Sequence, residues 1–320
     1  MASRQPVRED TGMVSPILET MPSDTIRVAI IGLGKMGTLH LHTCQRLPGL
    51  SVSAVVDSDP QKEAVAQSRG VPFFRTCDDL PGQVDAAIVA TPANEHVACA
   101  TFLAAARIHC LVEKPLAMNV ADSKRLVAIA AQHRVVLAVG HSERFNVGVS
   151  HARKALATNV RHMEVFRMAP WSAASAVGVD VVQDLMIHDL DWVVHGLGEI
   201  PRNVKIRNAQ WHKGKLACVS CTLDFASGRR VGLTASHLAR ARLREALLYL
   251  DDGAIDTINL DAMPTGSDAL TLQIRAFLAA INGKTSGIAT GREILSAMAL
   301  SDSIRANCEG TRCAGAETLG

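Results

Sequence analysis

Apolar positions along the chain follow two periods. Five short runs, at residues 28–31, 52–56, 84–90, 109–113 and 135–140, are continuous and rich in Val, Ile, Leu and Ala. Bounded by turn residues and too short for helices, they predict strands buried on both faces. Between them apolar residues recur every three or four positions, as in Met36, Leu39, Leu41, Cys44 and Leu47. That spacing predicts helices over 36–47, 63–69, 95–106 and 120–132, with one more short strand at 72–74. Strand and helix alternate, so residues 25–146 read as an α/β unit with a doubly wound parallel sheet.

From residue 147 the rhythm changes. A helix (149–157), a strand (160–168), a loop carrying Trp171 and a long helix (181–197) come first. Strands at 201–210, 216–225, 230–237 and 244–250 then follow without intervening helices. Asp224-Phe225-Ala226-Ser227-Gly228 between two of them has hairpin-turn chemistry. Consecutive strands imply an open mixed or antiparallel sheet, so 147–308 reads as a separate α+β domain that closes with helices over 268–282 and 291–308. Residues 1–24, with charges and three prolines, read as a mobile leader, and 309–320 as a loose tail.

Composition narrows the function classes. The 320 residues are 48% hydrophobic and 20% charged, as in an ordinary globular protein. A net charge of +2 gives no footprint for nucleic acid. No apolar run reaches the roughly 18 residues of a membrane span, and the leader lacks a signal peptide's apolar core. The expected location is therefore the cytoplasm, with the eight cysteines reduced. Cys218 and Cys221 form the one C-x-x-C, but it falls in a strand pattern, where residues three apart face opposite ways. No metal site is expected.

The first apolar run leads into Gly32-Leu33-Gly34-Lys35-Met36-Gly37, a G-x-G-x-x-G turn that opens a helix, and the second run ends in Asp57. Strand, glycine turn, helix, strand and acid make the dinucleotide-binding fingerprint of a Rossmann domain. Gly32 permits the tight turn, Gly34 lets the backbone approach a pyrophosphate, and Gly37 lets the helix lie close on the strand. Lys35 and Met36 sit at the helix N-terminus, where free N–H groups and the dipole favour phosphate. Asp57 is placed for the adenosine ribose hydroxyls and would repel a 2′-phosphate, so the expected cofactor is NAD rather than NADP. Ligands of such sheets lie beyond the strands' carboxyl ends. Thr91, Pro92, Asn94 and His96 after the third long strand, and Glu113 and Lys114 after the fourth, complete the expected cofactor contacts.

Three further clusters could carry chemistry. Lys114, in Glu113-Lys114-Pro115, can hydrogen-bond a substrate hydroxyl or shuttle its proton, with Pro115 fixing the turn; by itself it reads more readily as an exposed loop lysine. Asp184, His188, Asp191 and His195 recur at i, i+4, i+7 and i+11 and make one helical stripe. The stripe reads as a carboxylate-oriented histidine base, as a solvated face or as a His/Asp metal site. In Gly140-His141-Ser142-Glu143-Arg144-Phe145-Asn146, Arg144 and Asn146 could hold a polar or anionic substrate, or serve as hinge residues. Arg240, Arg242 and Arg244 could neutralise a diphosphate or line a solvated edge.

Taken together, AIIGLGKMG with Asp57, ATPANEH, VEKPLA and DLMIHDLD, in that order, resemble the glucose-fructose oxidoreductase / inositol dehydrogenase (Gfo/Idh/MocA) family. The resemblance implies an NAD-dependent dehydrogenase with a Rossmann domain and an open-sheet domain, the latter joining a homodimer or homotetramer. It implies catalytic roles for Lys114, Asp184 and His188, the last two also touching substrate. GHSERFN, VDVVQDLMIHDLD and LTASHLARARLRE look most like the branch of UDP-N-acetylglucosamine 3-dehydrogenases, which oxidise the sugar's 3-hydroxyl. Val147 and His237 depart from that branch, which often has proline and arginine there. An inositol, free-sugar or biliverdin-type reductase of the same family, and a non-catalytic NAD sensor, are the alternatives.

Overall fold

The computed structural model describes residues 25–158, 160–172, 178–250, 252–262 and 266–317. The expected leader at 1–24 and the last three residues of the expected tail lie outside that set.

The first sheet is built from β1 (Ile26–Ile31), β2 (Leu50–Val56), β3 (Phe73–Phe74), β4 (Ala86–Val89), β5 (His109–Val112) and β6 (Leu137–Val139), in the order β3-β2-β1-β4-β5-β6. Every pair is parallel. The crossovers are α1 (Lys35–Cys44), α2 (Glu63–Gln67), α3 (His96–Ala105) and α4 (Val120–His133). A sheet of this kind must be covered on both faces. Leu103 of α3 and Leu126 and Ala130 of α4 pack with Ala29, Ile31, Ala87 and Val89 on one face. On the other face Leu41 of α1 meets Val28 and Ile30, and the chain's later part returns to finish the job: Leu270, Ile274 and Phe277 share that cluster with Leu111 and Ala138. Thus α7 (Ala269–Ile281), which sequence order assigns to the second domain, packs on the Rossmann sheet. The segment after it also shields the sheet's edge, with Ala289 and Gly291 exchanging backbone hydrogen bonds with Val139 and Leu137.

Between these parts stands an α+β assembly. α5 (Val147–Thr158) leads into β7 (Val160–Met168); a π turn (Val182–Met186) runs on into α6 (Ile187–Leu197). Then come β8 (Asn203–His212), β9 (Lys215–Asp224), β10 (Arg230–Ser236), β11 (Leu243–Leu250) and β12 (Ile255–Asn259). The sheet order is β12-β11-β7-β10-β9-β8, with β10–β7 parallel and the other pairs antiparallel, so the sheet is mixed. β12 has no sequence expectation, because it is an exposed edge strand with little apolar alternation. One face of the sheet packs on α6 and on α8 (Leu295–Glu317). The opposite face carries Phe166, Leu247, Tyr249 and Ile255, the last 58% exposed. The final helix corrects the expected tail: it starts at Leu295 and runs beyond Cys308 to Glu317. Residues 309–317 lack a core-facing period, but no proline interrupts them, so the helical ladder continues. No helix among the described residues is long and apolar enough to cross a membrane.

Candidate active site

The chain turns immediately after β1. Gly32 adopts φ +88°, and a Cβ there would lie 2.8 Å from the Ala90 carbonyl oxygen. A Cβ on Gly37 would fall 1.6 Å from the Gly32 carbonyl oxygen. Packing within the chain therefore requires both glycines. Gly34 differs, because a Cβ there would meet nothing within 4 Å. The chain itself does not need glycine at that point, whereas a pyrophosphate pressed against the backbone does. Gly34 is also the N-cap of α1 and makes no side-chain cap bond, which leaves N–H groups at Lys35 and Met36 for an anion. Asp57 accepts from the Leu33 N–H (2.6 Å) and the Asp59 N–H (2.8 Å). Its carboxylate is fixed at the rim of the glycine turn, and each oxygen keeps a lone pair for a ribose hydroxyl. These residues fit a dinucleotide.

Farther along the same sheet edge, Thr91 has a buried hydroxyl without a partner among the described residues, and Pro92 and Asn94 lie exposed beside it. The structure turns two of the expected cofactor contacts inward. The His96 ring is buried between the carbonyl oxygens of Pro115 (2.8 Å from Nδ1) and Thr91 (3.0 Å from Nε2), and as a neutral ring it donates to one of them at a time. The Glu113 carboxylate accepts from His40 Nε2 (2.8 Å) and from the Lys114 N–H (3.2 Å). Burial raises the Glu113 pKa, but His40 and Lys114 outweigh it and hold the group below the ordinary glutamate value. It braces the loop from beneath. The Lys114–Pro115 peptide is cis.

Lys114 leaves the end of β5 and reaches into the second sheet's territory. Its Nζ donates to the Asp184 carbonyl oxygen (2.7 Å) and to Asp184 Oδ1 (2.6 Å). Asp180 starts this helix by accepting from the Val182 and Gln183 N–H groups (2.9 and 3.1 Å). The i, i+4 stripe places Asp184 against His188. In the structure, residues 182–186 form a π turn, whose i→i+5 bonding shifts the phase of the stripe, and both Asp184 oxygens are used elsewhere. Oδ1 holds Lys114, and Oδ2 accepts from His237 Nε2 at 3.0 Å. Burial raises the Asp184 pKa, yet His237 and Lys114 together pull it well below the ordinary aspartate range. His188 is buried, and its Nδ1 has no hydrogen-bond partner among the described residues. Burial, then the positive charge of Lys114 and Arg167, pushes its pKa well below that of an ordinary histidine. It is a neutral imidazole, 5.7 Å from the His141 ring, centre to centre.

The expected substrate contacts, Arg144 and Asn146, are both engaged within the chain. Arg144 grips Asp191 through Nε (2.8 Å) and Nη2 (2.7 Å) and reaches Glu293 with Nη1 (3.1 Å). Asn146 is buried and accepts from the Gly148 N–H (3.1 Å) at the start of α5. Of the three arginines, Arg240 is exposed, Arg242 grips Asp261 (2.9 and 2.7 Å), and Arg244 donates to Glu143 (2.5 Å). Among the described residues no group of three or more His, Cys, Asp or Glu side chains could hold a metal ion.

Residues 26–141 match the oxidoreductase family with an NAD-binding Rossmann fold. Over those residues the chain carries the NAD-binding domain of the Gfo/Idh/MocA oxidoreductases. It is similar to UDP-N-acetylglucosamine 3-dehydrogenase of Acidithiobacillus ferrooxidans, 29% identical over 238 residues that span 73% of this chain and 75% of that one. Inositol 2-dehydrogenase of Rhizobium meliloti is 26% identical over 316 residues, covering 87% and 95%. The solved structure of the Acidithiobacillus enzyme superposes with a TM-score of 0.80 at 26% identity, over 88% of this chain and 97% of that one. The protein is an oxidoreductase, and NAD is the cofactor of its Rossmann domain.

Two side chains of this site have no place in the sequence expectations for chemistry. His237 follows Val231, Leu233 and Ala235 in the inward register of β10, and Arg167 follows Met163 and Val165 in that of β7. A polar residue in a core register must find a partner. Arg167, fully buried, grips Asp189 (2.8 and 2.8 Å), and Trp192 Nε1 donates to the same carboxylate (2.9 Å).

Proposed function

We propose that the protein is an NAD-dependent dehydrogenase that oxidises a secondary hydroxyl of a sugar or sugar nucleotide. The observation that carries this reading is the meeting of Lys114, Asp184 and His188 at the carboxyl end of the Rossmann sheet. When bound there, NAD supplies the acceptor for the hydride that leaves the carbinol carbon. Lys114 donates a hydrogen bond to the substrate oxygen and stabilises the alkoxide as it forms. His188, neutral, takes the hydroxyl proton. Asp184 orients Lys114, the task its two contacts fit, in place of the expected task of orienting His188. A sensor has no need of this proton-transfer set, which favours an enzyme.

The 3-hydroxyl of UDP-N-acetylglucosamine is the substrate group we favour, because the relative matched over three quarters of its length acts on that compound. The exposed apolar face around Tyr249 and Ile255 supports the expected homodimer or homotetramer through the second sheet. The location we favour is the cytoplasm, where cysteines stay reduced. The test follows NADH fluorescence from purified protein with NAD and a panel of UDP-sugars, inositols and free hexoses. NADH is expected with UDP-N-acetylglucosamine. NADH with inositols alone would move the substrate to that class, and bound NAD without turnover on any of them would overturn the dehydrogenase reading for these substrates.

A further inference from the structure

The contact between Asp184 and His237 has no part in the proton transfer just described. Asp184 lies in the π turn with its side chain 37% exposed, and among the described residues its carboxylate accepts from Lys114 and His237, neither of them on its own helix. His237 constrains that carboxylate. It stands one residue beyond β10, where its N–H extends the ladder to the Ala217 carbonyl oxygen (2.8 Å). Its ring is 2% exposed and meets the edge of Trp171 (centroids 6.1 Å apart, planes at 76°). Trp171 in turn packs edge-on to His212 of β8, with centroids 4.7 Å apart. A carboxylate only accepts, so the Nε2 facing Asp184 Oδ2 at 3.0 Å carries the ring proton.

We propose that His237 is a positioning residue: held by β10 and Trp171, it clamps Asp184 so that Oδ1 and the Asp184 carbonyl present Lys114 to the substrate hydroxyl. The inference rests on the roles given above to Lys114 and Asp184. It assigns the lysine's aim to a side chain 53 positions farther along the chain than the aspartate. Lysine, a single charge on a flexible stem, needs such a frame more than the planar fork of an arginine does.

The test is a mutant cycle on the full chain, assayed with NAD and the UDP-sugar and inositol panel. His237→Leu should lower kcat about 10-fold or more while KM stays within about 3-fold, the signature of a contact needed for the transition state. NAD affinity should not change. His237→Gln, which keeps an N–H donor near the Nε2 position, should recover most of the rate. In an Asp184→Asn background His237→Leu should add almost nothing, because the two act as one unit. A substrate-free readout stands beside the kinetics. In histidine-labelled protein the 15N pattern of His237, identified by its loss in His237→Gln, should show the proton on Nε2 and shift in Asp184→Asn. Wild-type kcat in His237→Leu, or full additivity with Asp184→Asn, overturns the proposal while leaving the dehydrogenase reading intact. Wild-type rates in Lys114→Met, or no turnover of any panel member by the unaltered protein, overturn both.

Discussion

One helical segment, 182–197, carries two kinds of carboxylate. Asp189 and Asp191 have side chains only 3% exposed, and each is gripped by an arginine fork, Arg167 from β7 and Arg144 from the end of β6. Asp184 is 37% exposed and is held by a lysine and a histidine, one bond to each oxygen. An arginine fork fixes its partner in distance and in plane, and once buried neither charge can be released cheaply. A lysine contact is a single point on a flexible stem and is easily redirected to a ligand. The arginine pairs therefore lock α6 to β7 and to the Rossmann sheet, and the lysine pair at the solvent-facing end of the same segment is left free to do chemistry. The fold spends its rigid contacts on placing the helix and its adjustable one on the reaction.

This division can be broken from either side. Arg167→Met strips the partner from a buried carboxylate and should cost about 3–5 kcal/mol of stability, read as a fall in the chemical-denaturation midpoint. A loss under 1 kcal/mol would show that Asp189 is not held by that pair. Lys114→Met and His188→Ala should do the reverse. Turnover should drop about 10²-fold or more, the usual contribution of an acid–base group, with the folding midpoint little changed and NAD still bound. Near wild-type turnover in both variants would refute their assignment. The glycine turn sharpens the same contrast at smaller scale. Gly37→Ala meets a backbone oxygen and should destabilise the domain, whereas Gly34→Ala has room in the free protein. It should weaken NAD binding about 10-fold, or about 1.4 kcal/mol, without lowering the thermal midpoint. Unchanged NAD affinity would remove Gly34 from the pyrophosphate site.

How legible these regions are in the sequence depends on how local their physics is. The glycine turn is readable because strand, turn, helix and Asp57 are contiguous, and each residue type answers a local demand. Lys114 and Asp184 are readable as residues, but their contact spans 70 positions and joins two sheets. The π turn also defeats a stripe drawn at α-helical spacing. Arg144 and Asn146 show the opposite limit: they lie in the right loop, yet their side chains turn inward to Asp191 and Gly148, which no local pattern encodes. His237 and Arg167 are polar residues in core registers, and the register alone does not say which partner each will meet. The return of α7 to the Rossmann sheet was hidden for a related reason. Its apolar stripe is plain, but the uncovered sheet face that it fills follows from the crossover topology.

The smallest expected effect concerns pH, and it separates the site from the scaffold once more. His188, His141 and His96 all have pKa values lowered, first of all by burial. Their unfolded values lie near about 6.5. Below that pH the unfolded chain takes up protons that the folded chain refuses, so stability falls as pH drops through the window between the unfolded and folded values. The thermal midpoint should therefore be lower at pH 5.5 than at pH 7.5. Turnover should respond differently over the same range. His188 stays neutral in the folded protein below the ordinary histidine range, and Asp184 stays ionised because His237 and Lys114 hold its pKa well down. The acid limb of kcat/KM should thus lie below pH ~6.5, at a pH where the midpoint has already begun to fall. An acid limb centred at or above that value, with the enzyme still folded, would mean that His188 titrates like a solvated imidazole and is not the buried base.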